Sequence, residues 1–169
     1  MPLRRPEVYI ILLLGLSADV AYAQGHRAGE GFVAVRAGAN LVGNAFRVQE
    51  TKPEPGAGAS IGTFLSRLWA LEFETWMRAS NPECCAPRRR EMLYSVSVMR
   101  LLTTQGLQPY MLGGITFLQA ENPDMQIQVG LGAQFPVYGR FNMAIDLRGN
   151  GGGSTMIVRP SVALIYSFR

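Results

Sequence analysis

Residues 126–148 read QIQVGLGAQFPVYGRFNMAIDLR, and their alternation decides the fold. From Gln126 to Phe135 one set of alternate residues is Ile127, Val129, Leu131, Ala133 and Phe135. The other set is Gln126, Gln128, Gly130, Gly132 and Gln134. Val137-Tyr138 reads as a tight turn. Beyond it Phe141, Met143, Ile145 and Leu147 alternate with Arg140, Asn142, Ala144, Asp146 and Arg148. Successive side chains of a strand point to opposite faces, so each half is a strand with one apolar and one polar side. Two such strands around a short turn make a hairpin.

Working outward, the same period predicts eight strands, near 31–38, 58–66, 69–78, 91–102, 108–118, 126–136, 139–148 and 157–168. The third sets Trp69, Leu71, Phe73, Thr75 and Met77 against Ala70, Glu72, Glu74, Trp76 and Arg78. The last sets Val158, Pro160, Val162, Leu164, Tyr166 and Phe168 against Arg159, Ser161, Ala163, Ile165 and Ser167. The fifth is apolar on both sides, which leaves its facing open. In the fourth, Arg100 shares a face with Tyr94, Val96 and Val98. It either snorkels at a rim or follows a bulge that changes the phase. No segment has a helical period.

Composition narrows the class. The 169 residues are 48% hydrophobic and only 17% charged, against roughly 25% charged in ordinary soluble domains. The net charge of +4 is mild and scattered, which does not suit a nucleic-acid partner. The N-terminus carries Arg4 and Arg5, the apolar run VYIILLLGL from Val8 to Leu16, and Ala21-Tyr22-Ala23. That is the layout of a cleavable secretory signal peptide over 1–23. The apolar run is too short for a membrane anchor, and no later run approaches the ~20 residues of a spanning helix. Residues 24–169 are then the exported domain.

Alternation alone fits a soluble lipocalin-like barrel with apolar residues inside, or a membrane barrel with them outside. Four features favour the membrane barrel. Long gaps (39–57, 79–90, 119–125, 149–156) alternate with short ones, as external loops alternate with periplasmic turns. The strand number is even. Aromatics gather at strand ends: Trp69, Tyr110, Phe135, Phe141, Tyr166 and Phe168 at the periplasmic rim, Tyr94 and Phe117 at the outer one. The polar faces carry Arg36, Glu72, Glu74, Arg78, Arg140, Asp146, Arg148 and Arg159, a plausible filling for a narrow lumen.

On these residues the chain resembles the OmpA/OmpW-like group of eight-stranded outer-membrane β-barrels. The hairpin VGLGAQFPVYGRFNMAIDLRG (Val129–Gly149), Pro109-Tyr110 opening a glycine-containing strand, and the ending RPSVALIYSF carry the resemblance. It implies an all-β, antiparallel up-and-down transmembrane barrel in the outer membrane. It also implies recognition of the last strand by the barrel-assembly machinery. Two departures are the extra Arg169 after the aromatic Phe168, and that no peptidoglycan-binding domain, and so no cell-wall tether, is expected after the barrel.

For chemistry the sequence offers little. The only histidine, His26, precedes the first strand and reads as a solvated residue rather than a general base. Lipid-A-modifying barrels need a His with a nucleophilic partner, so that activity is disfavoured. Arg36, Glu72, Glu74, Arg140, Asp146 and Arg159 are expected to form a salt-bridged plug rather than a catalytic set. Cys84-Cys85 suggests a vicinal disulfide or a local loop feature, and no metal or cofactor motif appears. The glycine run Gly149–Gly153 reads as a hairpin loop. Arg88-Arg89-Arg90 could meet lipopolysaccharide phosphates. The expected role is structural or interactive. A narrow porin-like path past Gly130, Gly132, Ala144 and Ala163 is the alternative.

Overall fold

A computed structural model describes residues 25–44, 53–80, 89–119, 123–152 and 155–169. Residues 1–23, expected to be a signal peptide, and Cys84, Cys85 and Arg88 lie outside these residues, as does the Arg89 side chain. Eight strands follow in order: β1 (Gly31–Asn44), β2 (Glu54–Phe64), β3 (Trp69–Ser80), β4 (Arg89–Leu101), β5 (Gln108–Gln119), β6 (Asp124–Tyr138), β7 (Phe141–Gly152) and β8 (Thr155–Phe168). Each pairs antiparallel with its sequence neighbour, and β8 pairs with β1, closing a barrel. Closure leaves no strand edge unpaired, which a wall facing hydrocarbon requires.

The faces sort against the soluble alternative. Val33, Val35, Ile61, Phe73, Val96, Ile115, Ile127, Leu131, Ile145 and Leu164 point outward and are exposed. Arg36, Glu72, Glu74, Asp146, Arg148 and Arg159 point inward and are buried. A soluble protein rarely exposes a continuous apolar surface beyond a few hundred Å². Here that surface encircles the barrel, as a lipid-facing wall does. A secreted barrel with an apolar interior is therefore excluded.

Strand 5 is phased by its neighbours: Gln108, Tyr110, Leu112, Thr116 and Leu118 are buried inside, while Met111, Ile115 and Phe117 face out. Tyr110, expected in the aromatic girdle, is therefore a lumen residue. Trp69, Phe141 and Phe168 do lie exposed on the outer face, with Tyr166 half-buried between Phe141 and Phe168. Arg100 keeps the outward phase without a bulge, and its guanidinium lies over the Trp69 ring at 5.3 Å.

Three boundaries differ from the sequence reading. The strands run 11–15 residues, all but β2 beyond the ~9–11 that cross a bilayer. They consume much of the presumed loops, leaving 45–53, 81–88, 120–123 and 153–154 between strands at that end. Apolar alternation stops where the wall leaves lipid, but ladder hydrogen bonding continues. Gly149–Gly152 accordingly belongs to β7, paired with Val158 to Thr155, and is not a loop. The turn after β6 is Gly139-Arg140, not Val137-Tyr138. A register shift between Pro136 and Tyr138 adds a residue to β6, and Gly139 supplies the left-handed backbone (φ 56°) that the turn needs.

Inward glycines stand beside large side chains. A Cβ on Gly62 would lie 2.2 Å from Phe32 Cζ and 2.4 Å from the Leu71 carbonyl, whereas one on the outward Gly113 meets nothing within 4 Å. Gly62→Ala should destabilise the barrel by about 1–3 kcal/mol through overpacking. Gly113→Ala should change it by less than about 0.5 kcal/mol. Urea unfolding in lipid vesicles, read by tryptophan fluorescence, compares the two.

Candidate functional site

The lumen is the only region where sequence-predicted polar residues converge among the described residues, and it is layered. Its middle is a charge network built by four strands. Arg36 on β1 reaches Asp146 (Nη1–Oδ2 2.7 Å), Glu72 through Nη2, and Glu74 (Nε–Oε1 3.5 Å). Arg148 on β7 lies 3.0 Å from both Glu72 Oε2 and Asp146 Oδ2, and 3.3 Å from Glu74 Oε2. Arg159 on β8 pairs with Glu74 at 2.9 Å and lies over the Trp76 ring at 4.9 Å. Asp146 also accepts hydrogen bonds from the Tyr110 hydroxyl (2.9 Å) and from Ser161 Oγ.

Three guanidiniums thus face three carboxylates, and these six side chains are at most 1% exposed. Isolated buried charge is costly, and close opposite charges with shared donors offset that cost. Arginine suits the role because one planar fork serves two carboxylates at once.

Membership differs in two places from expectation. Arg140 is exposed in the β6–β7 turn and takes no part, because it is the last residue before β7 and lies at the barrel end. Arg148, eight residues further on and within β7, occupies the centre. Tyr110 was hidden by the double apolar pattern of β5. Its signal was the glycine across the ladder: Tyr110 pairs with Gly132, where a Cβ would lie 2.6 Å from the ring.

Below the network, Phe32, Phe64, Met99, Leu101, Leu112 and Ile165 form an apolar layer. Leu112 covers Gly130 and Tyr110 covers Gly132, so the small residues hold bulky neighbours. Above it, Ser97 bonds Gln128, Gln128 bonds Asn150 (3.3 Å), and Trp76 Nε1 bonds Asn40 (2.9 Å). Arg78 pairs with Glu91 nearer the outer end.

His26 is buried, not solvated. The segment before β1 folds back into the barrel mouth: the Gly29 amide bonds the Phe64 carbonyl, and the His26 ring stacks on Phe64 at 3.8 Å. Its Nδ1 lies 3.2 Å from Glu30 and its Nε2 3.0 Å from the Gln134 amide nitrogen, which in turn bonds Gln108 (2.7 Å). A neutral ring, donating at Nδ1 and accepting at Nε2, satisfies all of these contacts. Burial lowers the pKa of His26 below its ordinary 6.5, against the opposing pull of Glu30.

Among the described residues no His, Cys, Asp or Glu group is placed to hold a metal ion. Of Arg88-Arg89-Arg90, only Arg90 has a described side chain. It is exposed beside a cavity of about 250 Å³ lined by Pro55, Ala57 and Met77.

Glu72→Ala leaves Arg36 and Arg148 partly unpaired and should cost about 3–5 kcal/mol in a urea titration. For His26, the folded state favours the neutral ring, so the unfolded chain binds more protons. Its stabilisation is present above pH 6.5 and is lost as pH falls through the lowered folded value. His26→Gln should flatten this part of the unfolding midpoint profile between pH 7.5 and 5.

No family model and no curated protein sequence matches the chain. Solved structures do. Neisserial surface protein A is 12% identical and superposes with a TM-score of 0.68 over 83% of this chain and 99% of that one. Ail, the attachment invasion locus protein of Yersinia pestis, is 14% identical, with a TM-score of 0.62 over the same shares. The N-terminal β-barrel domain of Pseudomonas aeruginosa OprF is 16% identical, with a TM-score of 0.57, also over 83% and 99%. With its outward apolar wall and polar interior, the chain has the fold of the small eight-stranded outer-membrane β-barrels, the architecture of the OmpA/OmpW-like group.

Proposed function

We propose that this chain resides in the outer membrane as a non-conducting barrel with a structural or interaction role, its wall anchoring the connections at the outer end. The observation that carries this reading is the neutral Arg36–Arg148–Arg159 and Glu72–Glu74–Asp146 network across the lumen, backed by the apolar layer beneath it. In this reading the end bearing the short turns faces the periplasm, and the even strand number puts Gly31 and Phe168 at that same end. β8 is the segment that the assembly machinery engages. Catalysis is not part of the proposal: the lumen carboxylates are paired and buried, and His26 is occupied at the mouth. In this reading the exposed Arg90, near the outer end of β4, would meet a lipopolysaccharide phosphate.

The narrow-pore alternative needs a path past Gly130 and Gly132, where Leu112 and Tyr110 sit. Purified protein in mild detergent should migrate differently before and after boiling, and should give no current steps in planar bilayers. Unchanged mobility would overturn the membrane-barrel reading. Steady conductance altered by Glu72→Ala would overturn the plug and support a pore.

A further inference from the structure

The short-turn end carries one arginine at nearly every connection. Arg27 precedes β1, Arg67 lies in the β2–β3 turn, Arg100 ends the outward face of β4, Arg140 lies in the β6–β7 turn, and Arg169 follows β8. All five are exposed, and none makes an ion pair with a described residue. Among the described residues Glu30 is the single carboxylate side chain at this end, and it is engaged by His26 and the Arg27 amide. Five arginine side chains therefore stand against one already occupied acid. At the opposite end the described side chains are mixed: Arg78 and Arg90 stand among Glu54, Glu91 and Asp124.

Two further features fix the level of this ring. Arg100 shares the outward face with Val96 and Val98, and its guanidinium rests over Trp69, on a rim that also carries Phe141 and Phe168. Trp and Tyr belts sit at the headgroup level of a bilayer. The turns themselves present Leu65, Leu102 and Leu107, 57%, 52% and 60% exposed. Apolar turn residues interleaved with arginines match an interface: leucines enter the acyl boundary while guanidiniums snorkel to phosphate. A soluble acidic partner would account for Arg67 and Arg140 but leaves the lipid-facing Arg100 and the leucines without a role.

We propose that this rim binds the phosphodiester headgroups of anionic phospholipids in the adjoining leaflet, through Arg67, Arg100 and Arg140. The proposal rests on the membrane-barrel reading above. Guanidinium forks match phosphate oxygens. The excess positive charge selects lipids with net negative headgroups over zwitterionic ones, and screening by salt follows.

The test uses the folded barrel in mixed bilayers, with spin-labelled phosphatidylglycerol or phosphatidylcholine reporting the lipids held at its surface. At low salt the wild type should prefer phosphatidylglycerol by about threefold or more. The preference should fall toward unity in high salt and in the combined Arg67→Gln, Arg100→Gln, Arg140→Gln variant. Arg90→Gln, at the other end, should keep it. Equal retention of both lipids by the wild type overturns the proposal. So does a triple variant that retains the preference, or loss of the preference in Arg90→Gln alone. Arginine-dependent capture of soluble polyglutamate without lipid preference also overturns it, and assigns the ring to an acidic protein. Failure to insert, read by loss of the boiling-dependent gel shift in the wild type, instead brings down the barrel reading beneath it.

Discussion

Everything in this molecule follows from one constraint: a backbone in hydrocarbon must satisfy its own hydrogen bonds. Eight strands meet it only because β8 returns to β1, from Gly31–Phe168 to Asn44–Thr155. Once the ladder closes, the period of two leaves no freedom about side-chain placement. Residues at one parity meet lipid and those at the other meet the lumen. The outward Val, Ile and Leu cost nothing there, since lipid removes them from water.

The lumen is where the constraint becomes a problem. Eight strands enclose a space that side chains just fill, and the parity rule delivers charged residues into it. The structure answers with neutrality and geometry. Arg36, Arg148 and Arg159 interleave with Glu72, Glu74 and Asp146, so no carboxylate depends on one partner. Size matching completes the packing. Gly62 lies against Phe32, Gly56 and Gly58 against Trp76, and Gly132 against Tyr110. These four inward glycines are thus the receiving surfaces for aromatic rings, and they do not thin the plug.

Much of this was legible from residues alone. The faces of β3, β6, β7 and β8 read directly, because each carries a clear apolar parity. The polar network was visible in outline for the same reason, as Arg36, Glu72, Glu74, Asp146 and Arg159 all lie on lumen-facing parities. What stayed hidden depended on neighbours. Tyr110 sits on a strand apolar on both sides, and only its pairing with Gly132 turns it inward. Arg140 and Arg148 have the same parity, so their different depths depend on where the hairpin turns. That turn is displaced by the irregularity at Pro136–Tyr138. His26 needed tertiary contact: nothing local indicates that a residue before β1 will stack on Phe64.

The seam between β1 and β8 has a bearing on how the chain comes to be folded. Those two strands are at opposite ends of the sequence, and their pairing has the longest loop to close in the molecule. The lumen network cannot be complete before the last strand arrives, since Arg159 and Ser161 belong to it. Until β8 forms, β1 stands as an open, pairing-competent edge. The interval before closure is therefore when this protein is most exposed to strand addition by the wrong partner. Arg159, the one charged residue of β8, reaches Glu74 only in the step that ends that interval.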